Sequence, residues 1–216
     1  MSIPPIYVFF IALSFGVSFL VYRQPGAAFY LKLFPPFLGL SLFVEIFALY
    51  LISRGGKNYI LYSFFGAIEF AFYLYILSFI IQNLLTRKII RYILVFNFLV
   101  SLSNIFFIQK DRFNSITYSL GCLLIVFFCI YYFFELFRYP KSIKLSTEPA
   151  FWICSGLLFY YCCSFPLLGL TSLLSLFSQT LLRNIYLLLN VMNFLLYTSF
   201  TVAFLCRIRI RKYISS

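Results

Sequence analysis

The sequence contains no histidine, and only 5 of its 216 residues are acidic. Without histidine the common zinc hydrolases and His-based proton relays are excluded. No GxSxG nucleophile motif and no cluster of metal-ligand spacing occurs. The six cysteines, Cys122, Cys129, Cys154, Cys162, Cys163 and Cys206, have no CxxC spacing and sit in or at the end of apolar runs. They read as small packing residues rather than a disulfide framework or a zinc site. The last apolar run, Ile185–Leu205, has no lysine, so a retinal Schiff base has no anchor. No zinc, haem or retinal is expected, and no enzymatic motif is found.

Charge is also scarce. Charged residues make up 10% of the chain, against 63% hydrophobic residues and a mean hydropathy of +1.00. A soluble domain of this length cannot hide so much apolar surface. The expected class is an all-α polytopic membrane protein. Aromatics reach 23% and suit helix interfaces and interfacial belts. The net charge of +12 reads as basic loops meeting anionic headgroups. No basic–aromatic motif for nucleic acid accompanies it. The N-terminus has neither a basic n-region nor a small-residue cleavage site, so it reads as a retained first helix.

Seven apolar runs approach the ~20 residues that cross a bilayer. They cover 3–22, 29–52, 59–85, 89–108, 115–137, 150–170 and 184–206, as a single transmembrane domain over 1–216. Arg23-Gln24-Pro25-Gly26, Arg54-Gly55-Gly56-Lys57, Thr86-Arg87-Lys88 and Gln109-Lys110-Asp111-Arg112 punctuate them. Ser146-Thr147-Glu148-Pro149 has the form of a helix start. The half-apolar stretch from Thr171 to Leu182 is expected at the membrane surface. With the N-terminus outside, Arg23, Lys32, Arg87, Lys88, Arg91, Arg138, Lys141, Lys144 and the tail residues Arg207, Arg209, Arg211 and Lys212 face inward. Arg54, Lys57, Lys110, Arg112 and Arg183 face outward. This inward excess predicts an external N-terminus and a cytoplasmic C-terminus in the inner membrane.

Two acids lie deep in the second and third runs. Glu45 is seven residues before Ile52, and Glu69 is ten after Tyr59. At ~1.5 Å per residue these are depths of about 10 and 15 Å from the same, outer side. A carboxylate near the bilayer centre costs about 2.5–3.5 kcal/mol, so it faces the bundle interior and finds partners. Helical spacing supplies candidates. The third run presents Tyr62, Gly66, Glu69 and Tyr73 on one face. The second presents Ser41 and Glu45, and the fourth Asn97, Ser101 and Asn104. The sixth offers Trp152, Gly156, Tyr160 and Cys163, with Pro166 beyond. The last presents Arg183, Tyr186, Asn190, Asn193, Tyr197 and Thr201. The candidate ligand- or proton-binding set is Glu69, Glu45, Tyr73, Asn104, Asn190, Asn193 and Tyr197, in a seam opening outward. A purely structural seam, with neutral acids and interhelical hydrogen bonds, is the competing reading. Glu135, one turn from Arg138, reads as an interfacial i,i+3 pair.

The stretches GKNYILYSFFGAIEFAFYLYIL and EPAFWICSGLLFYYCCSF, together with the Asn-containing last run, resemble segments of small seven-helix membrane proteins common in Bacteroidota. That resemblance implies a sensory or accessory component, sometimes linked to two-component signalling. The function expected is therefore receptor-like: sensing a small molecule or lipid and signalling through cytoplasmic or membrane partners. The alternatives are a proton-coupled transporter using Glu45 and Glu69 and, third, a lipid-processing enzyme.

Overall fold

The computed structural model describes residues 6–24, 26–109, 113–138, 145–169 and 179–214. Residues 170–178 of the connection expected at the surface lie outside the described residues. So do the side chains of Arg183 and Tyr186 and those of the basic tail. The described residues are helical throughout, joined by short turns. The helices are α1 (Ile6–Ser18), α2 (Phe34–Ser53), α3 (Tyr59–Ile80), α4 (Leu84–Ser103), α5 (Ser115–Arg138), α6 (Pro149–Gly169) and α7 (Gln179–Ile214). Single 3₁₀ segments extend α1 over Phe19–Val21 and precede α2 over Phe29–Leu33. Among the described residues, six helical stretches are long and apolar enough to cross a membrane, whereas Ile6–Val21 is a shorter apolar helix. α7 runs for 36 residues, about 54 Å at ~1.5 Å per residue, well beyond a ~30 Å hydrocarbon core.

Local chemistry fixes the ends. Pro35 and Pro36 open α2, where missing N–H groups leave no broken bond. α2 stops in a Schellman turn: Gly56 N–H donates to Leu51 O at 2.9 Å and Gly55 N–H to Ile52 O at 3.0 Å. Gly55 takes φ +73°, which a side chain would strain. α3 ends at Ile80, before the expected boundary at Leu85. Tertiary contacts move it. The Glu135 carboxylate of α5 accepts from Gln82 N–H at 2.9 Å and Asn83 N–H at 3.0 Å. The Asn83 side chain then caps α4 by accepting from Leu85 and Thr86 N–H. Glu135 thus holds the α3–α4 turn onto α5, a role that its spacing to Arg138 does not reveal.

Helix contacts close a ring from α1 through α2, α3, α5, α6 and α7 back to α1, with α4 laid outside against α3 and α5. Two glycines set the tightest approaches. A Cβ on Gly121 would stand 2.6 Å from the Phe70 ring, and one on Gly156 2.8 Å from Ser199 Cβ. Close backbone approach through small residues is how membrane helices gain dispersion contacts. The ring is filled with aromatics: Phe37 stacks on Phe72 at 3.8 Å, and Phe34 meets Phe200 and Phe204 edge-on.

Candidate functional site

Glu45 lies where α1, α2 and α3 meet. Its Oε2 accepts a hydrogen bond from the Tyr7 hydroxyl at 2.8 Å and another from the Tyr62 hydroxyl at 3.0 Å. Tyr62 was legible as a face-mate of Glu69. Tyr7 was not, because one tyrosine among 18 gives no periodic signal. Its bond ties the first helix into the bundle at the level of the acid.

Glu69 is half-buried among tyrosines from several helices. Its carboxyl interacts with the hydroxyls of Tyr161 on α6 and Tyr73 on its own helix, and feels the charge of Glu45. Tyr118 on α5, Tyr160 on α6 and Tyr197 on α7 are also within electrostatic range of it. Tyr73 and Tyr161 are fully buried. Neither of their hydroxyl oxygens makes a hydrogen bond of normal geometry among the described residues. Among the described residues, none of the groups acting on either acid is a lysine or arginine. Glu45 therefore has two well-formed donors. Glu69 has two buried phenol hydroxyls beside it and no lysine or arginine acting on it among the described residues.

Helix rotation explains which tyrosines arrive. On α6 the buried stripe is Ile153, Leu157, Tyr161 and Ser164, about 100° from the stripe expected through Tyr160. Gly156 takes the place against Ser199 of α7 and leaves Tyr161 facing α3. Tyr161 thus escaped the sequence reading although it adjoins Tyr160.

The remaining candidates scatter. Tyr197 is 5% exposed and packs on Phe200. Asn193 is half-buried and donates to Leu189 O of its own helix at 3.0 Å. Asn190 is exposed. Thr201 donates to Tyr197 O, and Ser41 to Phe37 O, each within its own helix. Asn104 is buried, in a separate amide cluster. There its Nδ2 donates to Gln109 Oε1 at 3.0 Å and to Asn114 Oδ1. A π-helical turn over Asn104–Ile108, closed by Gln109 N–H to Asn104 O at 2.8 Å, swings these amides together. No sequence pattern announced that turn. Among the described residues no group of three or more Cys, Asp or Glu could hold a metal ion.

Chemically, the Glu69 cluster sets a carboxyl beside phenol hydroxyls, groups that both donate and accept hydrogen bonds. No family model, curated protein or solved structure matches the chain, so its function rests on the geometry of these acids and tyrosines.

Proposed function

We propose that the chain is a seven-span inner-membrane protein, N-terminus outside, that senses a small molecule or lipid at Glu69 and signals through cytoplasmic or membrane partners. The observation that carries this reading is the pair of buried tyrosine hydroxyls, Tyr73 and Tyr161, that face the Glu69 carboxyl, with no lysine or arginine acting on it among the described residues. The seventh span is supported by α1, which packs on α2 and α7 and delivers Tyr7 to Glu45. Basic residues of the inward connections and tail offer contacts for acidic partner surfaces and lipid headgroups.

Proton-coupled transport is the second reading, favoured by the electrostatic link between Glu45 and Glu69. Proteoliposomes separate the two. A panel of small amines and lipids should give saturable binding without net flux if the protein senses. Accumulation of a bound compound driven by an imposed pH gradient would replace sensing by transport. Absence of both binding and flux would remove both readings.

A further inference from the structure

The ring of Phe79, in the last turn of α3, is met by three side chains. Tyr75, one turn earlier on α3, meets it edge-on with centroids 4.9 Å apart. Phe29, in the 3₁₀ segment before α2, lies 5.7 Å from it. The Arg91 guanidinium of α4 stands over it, 5.8 Å from its centroid. A cation there is attracted by the ring quadrupole. Residues at i and i+3 eclipse in a 3₁₀ helix, so Lys32 shares the face of Phe29. Two cations on different elements thus flank one aromatic floor. They lie towards the end of the bundle that carries the α1–α2 and α3–α4 connections, and both are exposed.

Arg91 is poorly placed for a free cation. It lies seven residues past Leu84, the first residue of α4, about 10 Å along the helix at ~1.5 Å per residue. Beyond it Tyr92, Val95, Phe96 and Leu99 are exposed, as on a face turned to lipid. A cation within a span is costly, so it takes a partner or reaches back to the interface. Among the described residues neither Arg91 nor Lys32 makes an ion pair. Glu45 and Glu69 belong to the seam, and Glu135 accepts from two N–H groups of the α3–α4 turn. The two other acids, Asp111 and Glu148, come after α4 and just before α6 in the sequence. We infer that Lys32 and Arg91 bind the headgroup phosphate of an anionic phospholipid whose acyl chains lie along Phe29, Tyr75 and Phe79. A guanidinium matches phosphate oxygens with a fork of donors, and an ammonium adds a point charge. Two cations without a paired acid favour an anionic lipid over a neutral one. The aromatic floor favours a lipid over free phosphate, because only a lipid also covers it. This site is separate from Glu69 and does not rest on the sensing reading.

The test uses the full chain in mild detergent, titrated with phosphatidylglycerol or with phosphatidylcholine of the same acyl chains. Native mass spectrometry counts the lipid retained. The wild type should hold phosphatidylglycerol about tenfold more tightly than phosphatidylcholine. Lys32→Gln with Arg91→Gln should reduce that preference to about twofold or less. Lys32→Gln alone should lower it about threefold, and gives a second reading should the double variant fail to fold. Arg54→Gln with Lys57→Gln makes the same change of charge at the opposite end, where Arg54 stacks on Tyr50 of its own helix. That pair should leave the preference unchanged. Equal retention of the two lipids by the wild type would overturn the site. So would an equal loss from either pair of substitutions, which would mean that net charge alone attracts the lipid. Displacement of bound phosphatidylglycerol by inorganic phosphate would overturn the lipid as its occupant.

Discussion

At the scale of single residues, the two acids differ in what surrounds them. Glu45 is a junction: one oxygen accepts from tyrosines on two other helices. Removing the Tyr7 hydroxyl should leave the carboxyl short of one buried donor, at a cost of about 1–3 kcal/mol. Tyr7→Phe should therefore lower the melting temperature while leaving ligand response at saturation unchanged. An unchanged melt would mean that the bond contributes nothing to holding α1. Glu45→Gln should weaken the same junction and disturb function less than any change at Glu69. Both acids, and the face shared by Tyr62, Glu69 and Tyr73, were legible in the sequence, because a carboxyl in an apolar run is conspicuous and helical spacing supplies its face-mates. Tyr7 and Tyr161 were not, since their importance comes from tertiary neighbours and not from local spacing.

At the scale of elements, helix identity and helix rotation separate. Apolar runs, the paired prolines before α2 and the Gly55-Gly56 stop reveal where helices are. They do not reveal which face turns inward. Gly156 decides that for α6, and the π-helical turn decides it at the end of α4. The end of α3 is likewise set from outside, by Glu135 of α5. Two glycines with opposite surroundings test the packing. Gly121→Ala pushes a methyl to 2.6 Å from a Phe70 ring already held between Tyr118 and Tyr161. Overpacking of this kind costs about 1–3 kcal/mol. Gly66→Ala meets its first atom at 4.0 Å and should be close to neutral. Thermal melts of the two variants in the same detergent check the contrast. Equal effects would show that α3 and α5 are not packed as described.

At the scale of the whole molecule, the chain forms a ring of helices with an acidic, tyrosine-rich interior and α4 on its outside. The proposed seven spans, with an excess of basic residues on one side, would put the two ends on opposite faces. With other reactive cysteines removed, Ser2→Cys should be labelled from outside intact cells and Ser216→Cys only after permeabilisation. Equal access to both would exclude an odd number of spans. The sequence carried the helical bundle because hydropathy acts over whole segments, and the orientation drawn from the basic loops is what the labelling tests. It could not place Asn190 and Asn193, because a polar stripe says that a face is polar without saying what it faces. In the structure that stripe splits, with Tyr197 inside and Asn190 exposed.

The central claim is that Glu69 is the working group of the seam. Its most direct test is Glu69→Gln, which keeps shape and hydrogen-bonding capacity but removes the charge and the titratable proton. Reconstituted wild type and variant are melted against the same panel of small amines and lipids. The account predicts that at least one compound raises the melting temperature of the wild type, and that the shift is lost in Glu69→Gln. The variant's own melting temperature should stay within about 2 °C of wild type, as expected for roughly 0.5 kcal/mol in a protein of this size. A stabilising compound that shifts Glu69→Gln just as far, or a wild type indifferent to every compound, would contradict it and return the seam to plain helix packing.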